Sequence, residues 1–206
     1  MICGILLAAG ASRRFGSDKL LCRLPDGVAI GAAAARNLVS AVGQVVAVVG
    51  PGDDRRAKLL SEAGAIVVTC PSASQGMGVS LAWGIKASAA AEGWLVALAD
   101  MPFVRSATSL GIAQLLQAGA ALAVPVYRGR RGHPVGFSRQ FVKELTSLQG
   151  DSGACGILQA QKERITWLPV DDPGIGWDID VPKDVPDSPQ LPLLSTKDSA
   201  TAMAFS

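Results

Sequence analysis

A three-layer α/β fold, with a mostly parallel sheet and helices on both faces, is predicted by three observations. Short apolar, β-branched runs alternate with alanine-rich stretches of helical length. Each run is nearly continuously apolar, the pattern of a parallel strand covered on both faces. Hydrophobic residues make up 49% of the 206 and charged residues 17%, enough for a sizeable core and inconsistent with wholesale disorder.

The strand runs are, in order, GILLAA (4–9), QVVAVVG (44–50), AIVVTC (65–70), WLVALAD (94–100) and ALAVPV (121–126). Helices are expected between them at 28–42, 53–63, 79–91 and 106–118. Strand, helix and strand in steady rotation imply crossovers that cover both faces of one Rossmann-like sheet. After residue 127 the rhythm loosens. RGRRGHPVGF is a turn entering a short strand, SRQFVKELTSL and SGACGILQAQ are helices, and RITWLPV is a further strand. DDPGIGWDIDVPKDV holds too much Gly and Pro to be regular throughout. One domain over 1–186 is expected, followed by a flexible tail over 187–206, with no internal repeat.

Composition narrows the function. Lys plus Arg is 19 and Asp plus Glu 17, a net charge of +2, without the broad basic excess of a nucleic-acid-coating protein. Aromatics at 5% are too few for base-stacking platforms. Any acidic partner is therefore small and locally bound. Cys3, Cys22, Cys70 and Cys155 form no C-x-x-C pair, which suits neither structural zinc nor a disulfide framework and points to buried free thiols in a reducing compartment. The apolar N-terminus lacks the basic residues of a signal peptide, and no run approaches the ~18 residues of a membrane span. A cytoplasmic protein without a membrane or nucleic-acid partner is expected.

In open α/β sheets ligands bind where the loops leave the carboxyl ends of the strands. The first such loop lies in LLAAGASRRFGSDKLL (6–21) and carries Arg13, Arg14 and Lys19. It is no Walker A loop, because five residues separate Gly10 from Gly16 and Lys19 is three further on. Ser12 stands where a dinucleotide fingerprint needs glycine. The physics common to such loops survives: glycines permit close backbone approach, and exposed N–H groups beside cations cradle phosphate oxygens.

The same stretch resembles the L-A-(A/G)-G-x-S-x-R-(M/F)-G-x-x-K-L-L signature of the MobA-like nucleotidyltransferases, and looks most like the molybdenum-cofactor cytidylyltransferase branch. The likeness continues in SQGMGVSLAWGI (74–85), VALADMPFV (96–104), GRRGHPVGF (129–137), GDSGACGIL (150–158) and WDIDVPKDV (177–185). What the resemblance implies is a GT-A-like fold that joins a nucleoside monophosphate to a phosphorylated acceptor and releases pyrophosphate. By that likeness Gly10, Ser12 and Arg14 contact the triphosphate, Ala8 and Ala9 belong to the same nucleotide-binding set, and Lys19 neutralises charge near the α-phosphate. Gly78 and Ser80 help hold base and ribose, and Asp100 and Asp180 hold Mg²⁺. Lys19, Arg14 and Asp100 are then the catalytic set.

The inventory suits that chemistry. An attacking phosphate monoester, with a second pKa of about 6, is already anionic near neutrality. The need is for positive charge and positioning, not a strong base. The chain has one His and one Tyr. Extended backbone through 178–180 would put Asp178 and Asp180 on one side, so Asp180 is preferred on resemblance rather than geometry. His133 and Arg131, beside Arg128 and Arg130, are candidates to receive the phosphate of a pterin acceptor. Phe15 and Cys155 depart from the family's usual Met and Arg. LAAG in place of LAGG favours CTP over GTP. A different phosphorylated acceptor, or delivery of finished cofactor to a molybdoenzyme without turnover, are the alternatives.

Overall fold

The computed structural model describes residues 1–12 and 14–188. Nearly all of the expected tail, and Arg13, lie outside the described residues. The strands are β1 (Ile2–Leu7), β2 (Val45–Val49), β3 (Ile66–Thr69), β4 (Gly93–Leu98), β5 (Leu122–Tyr127), β6 (Arg130–Arg131), β7 (Val135–Ser138) and β8 (Ile165–Pro169). The helices are α1 (Ile30–Val42), α2 (Asp54–Glu62), α3 (Met77–Ala87), α4 (Ser106–Gln117), α5 (Val142–Thr146) and α6 (Cys155–Ala160). Each strand and helix expected from the sequence is present, within a few residues.

β3, β2, β1 and β4 are adjacent and parallel. β7 then lies antiparallel between β4 and β5, so β5 keeps the direction of β4 without touching it. β8 runs parallel along the far edge of β5, and β6 forms a short hairpin with β5. The sheet is thus mostly parallel, with helices on both faces.

Period-two alternation divides the core. Leu6 of β1 and Val45, Ala47 and Val49 of β2 join α1, α2 and α4 in one apolar cluster. Cys3, Ile5, Val46, Val48, Trp94 and Val96 point the other way and meet α3, α5 and α6. Two strands are less covered than expected, because each lies at an edge: Ile66 on β3 is 54% exposed and Trp167 on β8 48%. The thiols are free, but only Cys3 and Cys70 are buried; Cys22 is half-buried and Cys155 exposed. No helix among the described residues is long and apolar enough to cross a membrane.

The strand order has a functional consequence. From β1 the chain steps outward through β2 to β3, then returns to the opposite side of β1 to make β4. The loops after β1 and β4 therefore part, leaving a crevice at the sheet's carboxyl edge.

Candidate active site

The loop after β1 ends in a 3-10 turn, Lys19–Leu21, whose cap is Asp18: its Oδ1 accepts from the Leu20 N–H at 3.2 Å. The turn holds Lys19 in a buried position with its side chain 11% exposed. Earlier in the loop Ser12 adopts a left-handed backbone, φ 49°, which costs a non-glycine residue energy and is concentrated at functional sites.

Asp100 sits just beyond β4, in register with the end of β1 through the Ala99 N–H bond to Leu7 at 3.1 Å. Its own carbonyl accepts from the Ile179 N–H at 3.0 Å, which brings the WDID segment alongside. Asp184 then shapes that segment, with Oδ2 accepting from the N–H groups of Asp180 and Val181, each at 2.9 Å. The Trp177 indole donates to the Asp184 carbonyl at 3.1 Å.

These restraints converge on one ammonium. Lys19 Nζ donates to Asp100 Oδ2 at 2.7 Å and to Asp180 Oδ1 at 3.1 Å. Arg14 reaches the other oxygen of Asp180 at 3.0 Å from a side chain that is 77% exposed, so it is free to leave for a ligand. Burial alone pulls the Lys19 ammonium down; the hydrogen bonds and charges of Asp100 and then Asp180 outweigh it and raise its pKa. Asp178 keeps solvent access, yet desolvation on its protein flank, followed by the charges of Asp180 and Asp100, pushes its carboxyl up.

Ala8, Gly10, Ser12, Arg14, Lys19, Asp100 and Asp180 line one open cleft of about 420 Å³. Two polar atoms there are buried with no partner among the described residues, Ser12 Oγ and Asp100 Oδ1. Such orphans are costly unless a ligand completes them.

Three expected nucleotide contacts do not line this cleft. Ala9 is adjacent but absent from its wall. Ser80 is 3% exposed inside α3. Gly78 is occupied by the protein itself: its N–H donates to the Gly150 carbonyl at 2.8 Å, and a Cβ there would come within 2.9 Å of the carbonyl oxygens of Gln149 and Gly150. Met77 faces the cleft instead. The close approach that Gly76 and Gly78 permit is to the 149–151 loop.

Arg131 and His133 line a second, mainly apolar cavity of about 200 Å³, which adjoins the first through Leu7 and Met77. Arg128 and Arg130 do not line it; Arg128 stacks over Tyr127, 5.1 Å from the ring centre. Cys155 and Ser152 complete its polar rim. Burial holds the His133 imidazole below its usual pKa, against the Val96 carbonyl, Asp100 and Asp178, which raise it.

Compared with known proteins, residues 4–174 match the MobA-like NTP transferase domain. The chain belongs to this family. Among solved structures, Rv0371c of Mycobacterium tuberculosis superposes with a TM-score of 0.75 at 27% identity, over 89% of this chain and 94% of that one. The same protein in complex with manganese gives 0.72 at 26%, over 89% and 95%. Molybdopterin-guanine dinucleotide biosynthesis protein A of Archaeoglobus fulgidus gives 0.62 at 18%, over 89% and 94%, a likeness of fold. No curated protein matches. As a MobA-like NTP transferase, the chain belongs to a family of nucleotidyltransferases.

Proposed function

We propose that this MobA-like NTP transferase moves a nucleoside monophosphate, CMP from CTP by preference, onto a phosphorylated pterin of the molybdenum-cofactor type, releasing pyrophosphate. The observation that carries the reading is the Lys19, Asp100 and Asp180 cluster, in a cleft that leaves Ser12 Oγ and Asp100 Oδ1 without partners. The hydroxyl is a donor suited to a phosphate oxygen, and the carboxylate oxygen is a ligand suited to a divalent cation.

In this reading Asp100 and Asp180 hold Mg²⁺. The described residues contain no group of three or more His, Cys, Asp or Glu side chains able to cage a metal alone. That fits magnesium, which takes one or two carboxylates and completes its octahedron with phosphate oxygens and water. When bound, the ion withdraws charge from the triphosphate. Lys19 and Arg14 leave their carboxylates for phosphate oxygens, and Ser12 and the loop N–H groups orient the chain of phosphates. The attacking acceptor is already an anion, so these residues hold and neutralise rather than move protons.

The second cavity supports the acceptor. Its lining is mostly apolar, with Arg131 and His133 at the polar end, which suits a flat heterocycle carrying a phosphate better than a sugar phosphate covered in hydroxyls. The preference for CTP rests on the LAAG likeness. Pyrophosphate release, measured with Mg²⁺ and with CTP, GTP, ATP or UTP, each without acceptor, with a phosphorylated pterin and with a sugar phosphate, tests both halves. Release only with CTP and the pterin is expected. Pterin-independent turnover with a sugar phosphate would replace the acceptor, and no release with any pair would leave the delivery reading.

A further inference from the structure

The guanidinium of Arg56 makes contacts that no part of the reading above uses. Arg56 lies on α2, outside the cleft lining, and is only 6% exposed. Its Nη1 donates to the Ala8 carbonyl at 3.1 Å and the Gly10 carbonyl at 2.9 Å, and its Nε donates to Asp18 Oδ2 at 2.7 Å. Nη1 also reaches Asp53 Oδ2 at 3.2 Å, and that oxygen accepts from the Gly50 N–H at the end of β2 at 2.9 Å. One planar group therefore ties the place where the first loop leaves β1 to the cap beneath Lys19, and anchors both to the neighbouring strand.

We propose that Arg56 is the positioning residue of the triphosphate-binding loop, setting from behind the direction in which its backbone N–H groups face. This rests on the nucleotidyltransferase reading of the cleft. In a trans peptide the carbonyl of one residue and the N–H of the next point in opposite directions, and the bonds after Ala8 and Gly10 are trans. Drawing the Ala8 and Gly10 carbonyls onto Arg56 therefore turns the N–H groups of Ala9 and Ala11 away from it. Among the described residues those two N–H groups have no backbone acceptor. They are spare donors on the loop whose Gly10, Ala11 and Ser12 line the cleft. Asp18 extends the same control to the cation: its Oδ2 is held by Arg56 while its Oδ1 caps the turn carrying Lys19. Lysine would not substitute, because the bonds fan out from a rigid fork.

Inorganic triphosphate, which lacks base and ribose, is the probe, titrated calorimetrically into wild type, Arg56→Ala and Asp18→Asn without metal. Asn keeps the cap and removes the charge that Arg56 grips. Arg56→Ala is expected to lose at least tenfold in affinity and Asp18→Asn at least threefold. Methylguanidinium at millimolar concentration restores Arg56→Ala to within threefold of wild type, a recovery that a lost fold would not show. Either variant, natively folded by near-ultraviolet circular dichroism and binding triphosphate within twofold of wild type, overturns the proposal. Should Arg56→Ala not fold, Asp18→Asn decides alone. A wild type that ignores triphosphate overturns the nucleotide reading of the cleft as well, whereas variants that bind like wild type overturn only the part given to Arg56.

Discussion

Lys19 Nζ stands between the two carboxylates that would also hold a divalent cation. An ammonium and a metal ion compete for the same oxygens, so each weakens the other's hold until a triphosphate gives Lys19 another partner. Replacing Lys19 by Met should thus move two measurements in opposite directions. Turnover falls on the order of 10²–10³, the usual loss for one preorganised charge contact. Affinity for Mn²⁺ without nucleotide, followed by electron paramagnetic resonance, rises. A variant that lost turnover but bound Mn²⁺ no better would show that these carboxylates are not the metal's ligands. Asp100→Asn should lose both properties and remain folded, because its side chain is partly exposed at a loop. As candidates, Lys19, Asp100 and Asp180 were legible in the sequence, through the likeness to a family signature. Their mutual contact was not, because nothing in the residue order says that Asp180 returns to the first loop.

The short elements around the site act by holding backbone. The 3-10 turn Pro182–Asp184 is the clearest case, since the Asp184 carboxylate takes up the N–H groups of both Asp180 and Val181. Asp184→Ala frees those groups and lets Asp180 drift from Lys19. A fall of about tenfold or more in kcat is expected, from misplacement of a charged group in a preorganised site. Asp184→Asn, which keeps an acceptor oxygen, recovers part of it. Equal losses in the two variants would mean that the charge of Asp184, not its hold on the backbone, matters. From the sequence this stretch reads only as irregular, rich in Gly and Pro; that Asp184 folds back onto the N–H groups of Asp180 and Val181 depends on a local geometry that the residue order does not spell out. Gly78 shows a second limit. A glycine reports that something comes close, and whether this is a ligand or the 149–151 loop depends on contacts far apart in the chain.

At the scale of the molecule, continuous apolar runs identified β1, β2, β4 and β5, because burial on both faces imposes that composition. Strand order was not readable. VGFS is four residues long, and its place between β4 and β5 depends on pairing with both, which its own pattern does not encode. That insertion matters, for it carries His133 beside the Val96 carbonyl, 3.4 Å from Nδ1. Burial depresses His133 below the ordinary value of 6.5, despite the favourable charges of Asp100 and Asp178 and with Arg131 adding to the depression. The unfolded chain therefore takes up this proton first as pH falls. Stability is unaffected well above pH 6.5, declines as pH drops through 6.5, and levels off once the folded imidazole protonates too. One proton sets a slope of at most about 1.4 kcal/mol per pH unit. His133→Gln removes the titrating group, so denaturant unfolding of wild type and variant from pH 8 to 5 should differ by a constant above about pH 7. Below that the wild type should lose ground. Parallel curves over the whole range would mean that His133 titrates alike in the folded and unfolded chain.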